Sequence, residues 1–145
     1  ASLIPLQNDN VIKMPKKQII YIFGNELLDF DNLPIKLAPK LKKLFPAINF
    51  IIQDPNENTK LSKNGELIII DTVMGIDKVT VINDIEKLET EKIYSMHDFD
   101  LAFNLKLLKK IGRLKKLAIF GVPPDYNSKR ALIELRKKIN ALLYR

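Results

Sequence analysis

The sequence predicts a three-layer α/β fold: a doubly wound, mostly parallel sheet flanked by helices. Three observations carry that expectation. Its runs of β-branched and aromatic residues are continuous rather than alternating, as in strands buried on both faces. These runs alternate with segments of helical apolar spacing, the order expected when crossover helices join parallel strands. A length of 145 residues also suffices for one domain with its own core.

Taken in order, residues 1–17 are weakly patterned and are expected to be an N-terminal arm or an expression remnant. Residues 18–145 are expected to form a single α/β domain. Ile19-Ile20-Tyr21-Ile22-Phe23, closed by Gly24, reads as the first strand. Leu33-Pro34 opens a helix, since the missing N–H of proline costs nothing in a first turn. Ile35, Leu37, Leu41 and Leu44 mark its buried face, and Pro46 ends it. Residues 48–52 read as a second strand, 67–70 as a third ending at Asp71, and 79–82 as a short fourth. A helix is expected over about 99–111, with Leu101, Leu105, Leu108 and Ile111 on one face and its N-cap within 95–98. Residues 117–120 read as the last strand. After the Pro123-Pro124 loop, Ser128 is expected to cap a final helix carrying Leu132, Leu135, Ile139 and Leu143.

Composition narrows the chemistry. With 46% hydrophobic and 28% charged residues the chain has the make-up of an ordinary globular protein. The absence of cysteine removes a disulfide framework, a thiolate zinc site, an iron–sulfur cluster and a cysteine nucleophile. A single histidine, His97, removes HExxH zinc chemistry and multi-histidine cages. The net charge of +7 is uneven: residues 1–101 hold 12 basic and 15 acidic side chains, residues 102–145 hold 12 and 2. Most of the latter are lysines at helical spacing, with no aromatic-interleaved RNA-binding signature, so nucleic acid is disfavoured as a partner. No apolar run approaches the roughly 18–20 residues of a membrane span, and no signal-peptide pattern opens the chain. A cytoplasmic monomer without membrane contact is expected.

In open α/β sheets, ligands bind outside the carboxyl ends of the strands. Polar residues that fall just after strands are Gly24-Asn25-Glu26-Leu27-Leu28-Asp29-Phe30-Asp31, then Asp71-Thr72, then Ser95-Met96-His97-Asp98. Two carboxylates and one imidazole are thereby offered at one rim. They form a plausible three-ligand set for a borderline divalent metal with open positions. The bland alternatives are loop-capping aspartates and a structural histidine.

The strand followed by Gly24-Asn25-x-Leu27-x-x-x-Asp31, then Ile69-Ile70-Asp71-Thr72-Val73, then Ser95-Met96-His97-Asp98-Phe99-Asp100-Leu101, resembles the hydrogenase maturation endopeptidases. The stretch from Leu107 through Ile119-Phe120-Gly121-Val122-Pro123 is similar to that family's helix–strand ending. The resemblance implies a cytoplasmic peptidase that removes a C-terminal extension from the large-subunit precursor of a nickel–iron hydrogenase after nickel insertion. It implies recognition of the inserted nickel, with zinc or cadmium able to substitute. Carried over by motif position, the metal ligands and catalytic residues are Asp31, Asp71 and His97. Asn25 is expected to support the loop or contact substrate backbone, and Asp98 to orient the imidazole or cap the following helix. The chain departs from the family pattern at Phe23, Phe30 and Asn32 and over residues 54–58. Two other readings stand beside this one: a non-catalytic protein on the same scaffold whose basic helices hold an acidic partner, and a nucleic-acid-binding module.

Overall fold

A computed structural model of the chain describes residues 18–24, 32–53, 65–84, 86, 94–95, 109–110 and 112–144. Strands β1 (Gln18–Ile22), β2 (Ile48–Ile52), β3 (Glu66–Met74), β4 (Thr80–Ile82) and β6 (Lys116–Val122) form one sheet in the order β2-β1-β3-β6-β4. The first four neighbours in that order are parallel, whereas β4 runs antiparallel to β6 at the edge. A two-residue strand, β5 (Tyr94–Ser95), pairs antiparallel with the end of β3 through Val73↔Ser95 and Met74↔Tyr94. Helices α1 (Leu33–Leu44) and α2 (Ser128–Leu143) complete the described elements. The α/β expectation is met, and the sheet is mostly parallel.

Side-chain alternation divides the core in two. Ile20, Ile22, Ile68, Ile70, Ala118 and Phe120 face the helix layer, against Leu37 and Leu41 of α1 and Ala131, Leu135 and Ile139 of α2. Tyr21, Phe23, Leu67, Ile69, Val73 and Ile119 point to the other face and are buried as well, with Leu114 among them. A strand buried on both sides has no reason to alternate polar with apolar residues, hence the continuous runs. Each fully buried aliphatic side chain stabilises by about 1.5–3 kcal/mol, so these two clusters dominate the folding energy. At the far ends of the helices, the ring of Tyr144 stacks on Phe45 at 6.1 Å and joins α1 to α2.

Four details differ from the sequence reading. β3 does not stop at Asp71 but runs three residues further, to Met74, because β6 pairs with it through Thr72↔Val122 and β5 continues beyond. β6 likewise extends to Val122. The cap of α2 is Asn127, not Ser128: Asn127 has an extended ψ of 125° and its Oδ1 accepts the Arg130 N–H at 2.9 Å, while Ser128 is already helical. Ser95, the first of the four residues among which a helix cap is expected, is a strand residue. The helix predicted over 99–111 lies outside the described residues apart from Lys109 and Lys110, which are helical.

Candidate active site

The chain passes from β1 outward to β2, then returns to the opposite side of β1 as β3. The crevice between β1 and β3, at their carboxyl ends, is therefore the topological switch point where such sheets bind ligands. Pairing of β1 with β3 ends at Ile22↔Ile70, closed by the Phe23 N–H donating to the Ile70 carbonyl at 2.9 Å. The next residue of β3 is Asp71. Among the expected site residues, it is the one the described structure places, and it stands at this crevice.

Asp71 is fully buried, at 0% exposure, in a strand whose only other polar members are Glu66 and Thr72. Taking a carboxylate out of water costs several kcal/mol unless cations or donors meet it. By alternation it belongs to the same face as Tyr21, Phe23, Ile69 and Val73, and its partner in register on β6 is Gly121. A Cβ on Gly121 would lie 3.0 Å from Val73 Cγ2 and 3.1 Å from Ile76 Cδ1, so the glycine leaves the room that these side chains occupy beside Asp71. Thr72 turns to the helix-layer face and is 1% exposed; its Oγ1 has no hydrogen-bond partner among the described residues.

Asp31, His97, Asn25 and Asp98 lie outside the described residues, so their placement relative to Asp71 is not given. Chain connectivity bears on two of them. Asp31 immediately precedes the buried Asn32, whose carbonyl accepts the Lys36 N–H at the start of α1. His97 comes two residues after Ser95, which is in register with Val73, two residues past Asp71. Because β5 is antiparallel to β3, the chain leaving Ser95 departs from a strand directed toward Asp71. Among the described residues no three His, Asp or Glu side chains cluster as a metal site.

A second polar cluster at this rim went unnoticed in the sequence. Glu134 of α2 accepts the Val79 N–H at 3.0 Å, the Tyr126 hydroxyl at 2.8 Å and the Arg130 Nε–H at 3.1 Å. It fastens the segment before β4 and the loop after β6 to the helix layer. Burial pushes this carboxyl up, but the Val79 amide, the Tyr126 hydroxyl and the Arg130 guanidinium more than offset that and hold it below the ordinary 4.5. Burial, and then Glu134 itself, raise the Tyr126 phenol above its ordinary 10.0. The available signal was the isolation of Glu134, the one acid in a helix with five cations. A cavity of about 490 Å³ lies at the opposite, amino end of the strands, lined by Gln18, Glu66, Lys116 and Leu142 among others. It contains none of the expected site residues.

An α/β protein with a mostly parallel sheet and a buried carboxylate at its switch point belongs to a broad class of ligand-binding and hydrolytic folds. Residues 55–144 match the family model described as hydrogenase maturation protease, a span covering more than half of the chain, and the chain belongs to that family. It is a peptidase by that membership. The matched span contains Asp71 and His97 and begins after Asp31. No curated protein and no solved structure matches the chain. No helix among the described residues is long and apolar enough to cross a membrane.

Proposed function

We propose that the protein is an endopeptidase that removes the C-terminal extension of a nickel–iron hydrogenase large-subunit precursor. It would recognise the nickel already inserted there through Asp31, Asp71 and His97. The observation that supports this most is Asp71: an acid fixed within the sheet, fully buried, at the switch-point crevice and inside the family-matched span. A fully buried acid at the ligand-binding crevice of such a sheet is a functional-site candidate, and cationic ligation is a use that suits it.

The nickel belongs to the substrate, and two carboxylate oxygens with one imidazole nitrogen suit a borderline divalent ion. Such an ion, when bound, supplies Lewis-acid polarisation of the scissile carbonyl and of a water molecule. The chain's own contributions are simpler. Asp71 presents an anionic oxygen from a rigid strand, in register with Gly121 of β6 and one residue past the last pair with β1. Asp31 and His97 belong to the segments that follow β1 and β5 in the chain. With no cysteine in the chain, hydrolysis by water requires no covalent thiol intermediate. Zinc and cadmium are expected to bind as surrogates.

The test is calorimetric titration of wild type, Asp71→Asn and His97→Ala with nickel, cadmium and zinc, beside processing of a nickel-loaded precursor followed by mass spectrometry. Loss of both binding and processing in each variant supports the proposal. Unchanged metal affinity in both variants sinks it.

A further inference from the structure

The outer surface of the helix layer has an unusual make-up. On α2 the buried face is Ala131, Leu135 and Ile139, and Ile133 stands on the opposite side, 56% exposed. Its four nearest neighbours on a helix surface are the residues three and four positions away. Here those are Lys129, Arg130, Arg136 and Lys137, all cations and all exposed. On α1, which packs against α2, Lys36, Lys40 and Lys43 recur at helical spacing on the exposed side. Neither helix has an acid in its first turn. Glu134 is the sole carboxylate of the two helices, and it is occupied by Val79, Tyr126 and Arg130.

This arrangement works against helix stability. Like charges at i,i+4, as in Lys36 and Lys40, repel, and Lys129 and Arg130 sit at the positive end of the α2 dipole. A surface shaped only for solubility mixes both signs. An exposed aliphatic anchor within a ring of cations has the anatomy of a protein-docking site, with an apolar centre and a charged rim. A membrane-surface helix needs a whole apolar face, and the apolar faces of α1 and α2 are spent on the core. Nucleic-acid binding gains nothing from an isolated isoleucine at the centre of its contact.

We propose that the outer face of α1 and α2, centred on Ile133, docks an acidic protein surface: an apolar pocket bordered by carboxylates on the precursor that is cut. The proposal rests on the peptidase reading and deepens it. α2 begins six residues after the end of β6, so its first turn, with Lys129 and Arg130, stands at the rim where Asp71 lies, while the Asp71 side chain belongs to the other face of the sheet.

The experiment compares the full-length wild type with the double variant Arg136→Glu/Lys137→Glu and with Ile133→Ala. All three positions are exposed, and urea midpoints serve as the folding control. Affinity for the nickel-loaded precursor is measured by calorimetry in an Asp71→Asn background, which keeps the precursor intact. Processing is measured with Asp71 present. Charge reversal is expected to weaken binding about tenfold or more, raise KM by a similar factor, leave kcat nearly unchanged and flatten the salt dependence. Ile133→Ala is expected to weaken binding several-fold at every salt concentration. Unaltered affinity and KM in both variants overturns the proposal. So does a loss confined to a random-sequence DNA duplex or to phosphatidylserine vesicles, because the surface then serves another class of partner. If wild type cuts nothing yet binds the precursor in this charge-dependent way, the peptidase reading fails and the docking surface stands.

Discussion

Gly121 offers a direct probe of how tightly the fold is built around Asp71. Replacing it with alanine places a methyl group 3.0 Å from Val73 Cγ2 and 3.1 Å from both Val73 Cβ and Ile76 Cδ1. Ile76 can swing its terminal methyl aside. Val73 cannot yield so easily, because its Cβ is one bond from the backbone and the residue is fully buried on β3. Relief therefore requires movement of the strand that carries Asp71 and pairs with Ser95. Overpacking of this kind costs about 1–3 kcal/mol, and removing a strand glycine returns about 0.5–1 kcal/mol. The net expectation is a loss of about 1–2 kcal/mol for Gly121→Ala, and distinctly more for Gly121→Val. Urea titration reads this as a lowered midpoint at constant slope. Thermal unfolding reads it as a Tm drop of about 2–4 °C per kcal/mol. Nickel titration of the alanine variant should also show weakened affinity. An alanine variant as stable as wild type, with a valine variant no worse, would refute the idea that Val73 and Ile76 fill the space beside Asp71.

Two other glycines form an internal control. Gly65 (φ 72°) and Gly112 (φ 78°) both need the left-handed region, but an alanine Cβ at 65 meets the Arg113 carbonyl at 2.5 Å and one at 112 meets nothing within 4 Å among the described residues. Gly112→Ala should cost about 1–2 kcal/mol, and Gly65→Ala clearly more, in the same urea assay. Glu134→Ala leaves the N–H of buried Val79 without its acceptor and should cost about 2–3 kcal/mol, with Glu134→Gln milder. Because its folded pKa is lowered, the Glu134 contribution is complete above the ordinary 4.5 and fades as pH falls through the folded value. The stability difference between wild type and Glu134→Gln should accordingly shrink on acidification. Asn127→Ala should cost about 1 kcal/mol by removing the α2 cap, whereas Ser128→Ala should be nearly neutral. Thr72→Val, which replaces a buried hydroxyl lacking a partner with an isosteric methyl, should raise stability by about 1 kcal/mol.

The sequence made most of the sheet legible because strands buried on both faces leave uninterrupted apolar runs, as in Ile20 to Phe23 and Leu67 to Ile70. It misled where pairing decided the outcome. Asp71 reads as a strand end because a carboxylate normally marks the exit to solvent, yet ladders on both sides carry β3 past it to Met74. Asn127 and Ser128 are equally good capping residues, and only the backbone at Asn127 selects between them. The antiparallel setting of β4 and the bond from Val79 to Glu134 join residues distant in sequence, so of that cluster only the isolated acid in a basic helix could be read locally. Of the three candidate ligands, Asp71 was legible through its position after a buried run. Asp31 and His97 rest on their position after strands and on motif resemblance, and lie outside the described residues.

The burial of β3 on both faces also bears on how this chain can change over generations. From Leu67 to Val73 every side chain is nearly inaccessible to water, so no site there is free to drift. At position 71 folding alone asks for a side chain of the right volume, not for an acid. Across related sequences, retention of aspartate at that place in the strand would therefore record a pressure separate from stability. Its replacement by leucine or valine would identify lineages in which the chemistry has lapsed while the fold persists.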